Sequence, residues 1–114
     1  MARHRQKEIV LKKAKVDIGM IPVVQWLNSI DGIYTYYSCE GDDDEGIKPQ
    51  VGFWWFYPGA LEVVTTKFLV EPIAEPYGTL RIAGVNLCEM VFHSKEALRG
   101  FINFLRKGES KWPK

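Results

Sequence analysis

Residues 33–57 read I-Y-T-Y-Y-S-C-E-G-D-D-D-E-G-I-K-P-Q-V-G-F-W-W-F-Y, two aromatic, β-branched runs around an acidic loop bracketed by Gly41 and Gly46. Tyr, Trp, Phe, Val, Ile and Thr suit the pleated, half-buried surface of a sheet, so strands are expected at 33–38 and 50–57. Alternation in the second places Val51, Phe53, Trp55 and Tyr57 on one face and Gly52, Trp54 and Phe56 on the other. Both faces are apolar, so this strand is either covered on both sides or turns an aromatic face to a ligand. At Gly52 the missing side chain leaves room for another group to come close.

Working outward, Met20, Val23, Val24, Leu27 and Ile30 recur at helical spacing and predict a helix over 21–29. Pro22 suits its first turn and Gly32 its end. After Pro58-Gly59, expected as a turn, Leu61, Val64, Thr65, Phe68 and Leu69 favour a second helix over 60–70, although Val63 to Thr66 are β-branched. Leu80–Ala83 and Leu87–His93 read as a hairpin turned at Gly84-Val85-Asn86. Ser94 is a good N-cap for the clearest amphipathic pattern, Leu98, Phe101, Ile102 and Leu105, which Gly108 is expected to stop. The order helix, strand, strand, helix, strand, strand, helix predicts an α+β fold. Its sheet is expected to be single and mostly antiparallel, of about four strands, with two to three helices packed on it.

The chain has 114 residues and a net charge of +1, the size and balance of one globular domain rather than a general polyanion binder. No apolar run approaches the ~20 residues of a membrane span, so no membrane is expected and a cytoplasmic location is. Two cysteines, Cys39 and Cys88, are too few for a disulfide framework. Charge is unevenly spread: residues 1–15 hold six Lys/Arg against one Glu, and residues 40–45 hold five acids. The basic start is expected to be a solvated segment, flexible over 1–8, with a short strand or arm at Ile9-Val10-Leu11; residues 109–114 are expected to be flexible too.

The acidic loop does not follow an EF-hand pattern, since counting from Glu40 puts Glu45 sixth and Val51 twelfth. No zinc spacing, P-loop, dinucleotide fingerprint or hydrolase elbow occurs, and no resident cofactor is expected. Cys39 beside Glu40 and three aspartates is a poor nucleophile, because like charge disfavours its thiolate. The aromatic cluster is the better lead. Eight rings fall within residues 34–57, more than one face can bury, and exposed rings stack bases or anchor partners. The candidate binding residues are Ser38, Cys39, Glu40, Gly41, Tyr36 and Trp54. Loop amides with Ser38 and Gly41 would hold a phosphate, and Glu40 would accept from base or ribose donors.

The stretch W-L-N-S-I-D-G-I-Y-T-Y-Y-S-C-E-G resembles small uncharacterised phage and bacterial proteins whose strand ends in Thr-x-x-Ser-Cys-Glu-Gly. It is more distantly similar to the wybutosine-synthesising methyltransferase family of tRNA modification, with its motif Thr-Thr-Ser-Ser-Cys-Ser-Gly-Arg. Thr35, Ser38, Cys39 and Gly41 match that motif, while Glu40 and Asp42 replace its serine and arginine. The resemblance implies an α+β fold and a site at 38–41. The leading expectation is a non-enzymatic binding protein for a nucleotide-type small molecule or a host protein, with RNA also admitted. Two alternatives stand beside it: a nucleotide-modifying enzyme using S-adenosylmethionine, as that family implies, and an inhibitor of a host protein. The two-sided apolar strand also leads to the expectation of a homo-oligomer.

Overall fold

The computed structural model describes residues 16–72 and 75–111. The expected flexible ends, 1–8 and 109–114, and the expected arm at 9–11 lie outside the described residues, except that residues 109–111 belong to the last helix.

After a 3-10 turn at Ile18–Met20 come α1 (Ile21–Ser29), β1 (Ile33–Cys39), β2 (Gln50–Trp55), α2 (Pro58–Thr65), β3 (Gly78–Gly84), β4 (Leu87–Phe92) and α3 (Lys95–Lys111). The fold is α+β, with one antiparallel sheet in the order β1-β2-β4-β3. The last strand is therefore central, between β2 and β3.

Local chemistry explains the elements. Pro22 lies in the first turn of α1, where an absent N–H costs no helical bond. Gly32 turns the chain into β1 at a φ of 92°. Ser94 Oγ accepts the Ala97 N–H at 3.0 Å and caps α3. In the β3–β4 hairpin, Asn86 takes a left-handed φ of 62°. Its carbonyl accepts from Trp55 N at 3.0 Å and its side-chain amide donates to Trp55 O at 2.8 Å, tying the hairpin tip to the end of β2.

Three boundaries differ from expectation. β2 ends at Trp55, because Tyr57 serves as N-cap and Pro58 opens α2 rather than making a turn. α2 widens into a π-helical segment over Thr66–Val70, where the β-branched run crowds the regular ladder. Gly108 lies inside α3. One glycine costs about 1 kcal/mol relative to alanine, which a helix anchored by a long apolar face absorbs.

All three helices cover the same side of the sheet. Val23 and Leu27 of α1, Val64 of α2, Phe68 of the segment after it, and Leu98 and Phe101 of α3 are buried against Val51, Phe53, Met90 and Phe92. Trp26 is half-buried and meets the Phe101 ring edge-on at 5.5 Å. Among the described residues no helix is long and apolar enough to cross a membrane.

Candidate functional site

The other face of the sheet carries no helix among the described residues, and a bulge decides which side chains it displays. Thr35 pairs with Phe53 and Tyr37 with Gly52, so Tyr36 is an extra residue in β1. A bulge sets two successive side chains on one face. Both rings lie over Gly52: a Cβ built there would sit 2.6 Å from Tyr36 and 2.6 Å from Tyr37. The Tyr36 and Tyr37 rings pack at 5.1 Å, and Tyr36 meets Trp54 at 6.0 Å. Further along, Tyr34 meets Phe56 edge-on at 5.5 Å. Tyr34, Tyr36 and Trp54 keep 45%, 38% and 40% of their surface exposed, enough ring for a ligand to touch.

A polar row crosses the sheet beside the rings. Glu89 of β4 pairs with Gly52 on one side and with Arg81 of β3 on the other. Arg81 Nε donates to Glu89 Oε1 at 2.8 Å, and Arg81 Nη2 donates to the same oxygen. The Tyr37 hydroxyl lies 3.0 Å from Glu89 Oε2 and 2.6 Å from Gln50 Oε1. The Arg81 guanidinium, aided by the Tyr37 hydroxyl, holds the Glu89 carboxyl below the usual carboxylate range. Burial first, then the hydrogen bond to Glu89, pushes the Tyr37 phenol well above its ordinary value of 10.0.

These shifts give a pH prediction. The contribution of Glu89 is present above the ordinary carboxylate pKa and disappears as pH falls through its lowered folded value. Tyr37 works in the opposite sense: its fold favours the neutral phenol, so stability declines as pH rises above the ordinary tyrosine value. Thermal melts across pH should show both limbs. Tyr37→Phe should flatten the alkaline limb, and an unchanged alkaline limb would place its cause elsewhere.

The expected site residues divide. Tyr36 and Trp54 are together on the open face. Pairing with Gln50 places Cys39 on that face too, half-buried, whereas Ser38 pairs with Val51 and belongs to the helix-covered side. Glu40 turns away from the rings. Its carboxylate packs on Gly19, and its N–H donates to Asp17 Oδ2 at 2.8 Å. Gly41 has a φ of 89°, and a Cβ there would meet Ile47 O at 2.6 Å, so its role is to let the two loop ends touch.

Several of the loop amides bond within the loop. Asp42 N and Ile47 N bond each other's carbonyls at 2.8 and 2.9 Å, Asp44 N donates to Asp42 Oδ1, and Glu45 N donates to Asp42 O. Tyr37, Gln50, Glu89 and Arg81 were missed as site residues. The β-bulge and the β2-β4-β3 strand order that gather them leave no signal in a linear pattern; only Gly52, read as an approach point, pointed there.

No protein-family model, curated protein or solved structure matches this chain. The likeness to the tRNA-modifying family therefore rests on Thr35, Ser38, Cys39 and Gly41 alone. Of these, Thr35 is held by α1: its N–H donates to Asn28 Oδ1 and its Oγ1 accepts from Asn28 Nδ2, both at 3.0 Å.

Proposed function

We propose that this chain is a non-enzymatic binding domain whose helix-free sheet face stacks the planar base of a nucleotide-type ligand. The observation that carries this reading is the half-exposed ring pair of Tyr36 and Trp54, 6.0 Å apart beside a polar row. A base has a π-face whatever its identity, and one stack on an aromatic side chain contributes about 1–3 kcal/mol. Gly52 and the bulge hold the rings against the sheet, so little side-chain freedom remains to be lost on binding.

Titration with nucleosides and short single-stranded RNA, followed by tryptophan fluorescence, tests the reading. Quenching is expected. Trp54→Ala and Tyr36→Ala should each weaken binding by about 5- to 150-fold, the equivalent of one stack. Asp43→Ala, on the far loop, should leave it unchanged. Equal affinity in all three variants, with folding confirmed by circular dichroism, would overturn the proposal and favour a protein partner for the rings. Pairing of two copies through this face is a proposal of the same kind; it would make the emission depend on protein concentration before any ligand is added.

A further inference from the structure

We infer that the row Gln50–Tyr37–Glu89–Arg81 reads the edge of the stacked ligand and selects a heterocycle with an exocyclic amino group, as in adenine or cytosine. This inference rests on the stacking reading above and adds the chemistry of the ligand's edge.

The argument is a count of protons. Tyr37 Oη has one proton and two acceptor oxygens in reach, Gln50 Oε1 at 2.6 Å and Glu89 Oε2 at 3.0 Å. Glu89, held in its ionised form by Arg81, only accepts. Gln50 directs its Nε2 to Lys48 O at 3.3 Å and gives nothing to Tyr37. With the Gln50 amide so directed, the cluster is one donor short among the described residues, on the face where the rings lie.

Glu89 shows where a donor fits. Arg81 places two N–H groups on Oε1, and Tyr37 supplies at most one to Oε2, so among the described residues Oε2 retains an open acceptor site. The Glu89 side chain is 14% exposed and that of Arg81 62%, so the carboxylate is partly shielded while the rest of the guanidinium faces outward. An acceptor next to outward guanidinium N–H groups complements an edge that places an amino group beside a ring acceptor. Adenine has N6 beside N1 and cytosine has N4 beside N3, and carboxylate acceptance from a cytosine amine is a standard pairing. The row's formal charge is zero, Arg81 against Glu89, which suits a base edge better than a phosphate.

The test compares adenosine with N6,N6-dimethyladenosine, and cytidine with its N4,N4-dimethyl form, on the intact chain by fluorescence quenching. Dimethylation keeps the ring that stacks and removes the N–H donors. The amino forms should bind about tenfold more tightly or better, the discrimination of one base-edge contact. Glu89→Gln should bring each pair close together while both still quench. Equal binding of amino and dimethyl forms by the unmodified protein would overturn the edge reading and leave stacking intact. Failure of every nucleoside to bind would overturn both.

Discussion

Phe101→Ala is expected to lower stability by about 3–5 kcal/mol, the range for emptying a fully buried phenylalanine site. The Phe101 side chain on α3 is fully buried, with ring centres of Trp26, Phe68, Tyr77, Phe92 and Phe104 between 5.3 and 6.2 Å away. It joins α1, the segment after α2, the edge of β3, β4 and its own helix, so its loss is felt by each layer. Neighbours anchored on different elements collapse poorly into a gap. A thermal melt should fall by about 15 °C or more for a domain of this size. A fall of only a few degrees would mean that the rings close over the gap.

The second large effect is expected at Gly52. Gly52→Val must displace two rings at once, because its Cβ would sit 2.6 Å from both Tyr36 and Tyr37. Overfilling of this kind costs about 1–3 kcal/mol. Valine's strand preference offsets part of that cost. The functional loss should exceed the loss of stability, since Tyr37 carried off Glu89 and Tyr36 carried off Trp54 dismantle the platform and the polar row together. Nucleoside quenching should vanish while far-ultraviolet circular dichroism keeps its shape. Retained quenching would show that the tyrosines are not part of the binding surface.

How much of this was legible follows from the range of each interaction. The helix built on Leu98, Phe101, Ile102 and Leu105 shows in the sequence because its apolar spacing is local, and Ser94 because capping reaches only three residues. The two faces of β2 were legible by alternation, with Phe53 buried and Trp54 exposed. Alternation also anticipates that Ser38 and Cys39 part company, although a site drawn as one loop had joined them. The bulge at Tyr36 was hidden, since nothing in I-Y-T-Y-Y-S marks which tyrosine is the extra one. Glu89 and Arg81 were hidden for another reason: they meet Tyr37 only because β4 lies between β2 and β3. The placement of Glu40 was hidden as well, because its partners, Asp17 and Gly19, precede it by a helix and a strand.

The place of β4 also sets a timetable for synthesis. A chain emerging from its N-terminus completes the β1–β2 hairpin early, and then carries one uncovered edge of β2 while residues 56–86 are made. Only when residues 87–92 appear can the sheet close, with Asn86 fastening its tip to Trp55. Contacts this distant along the chain slow folding, and an unpaired edge on the waiting hairpin invites pairing with other chains. Nascent chains arrested before Leu87 should therefore need shielding that chains arrested after α3 do not, a difference that aggregation of the released fragments would reveal.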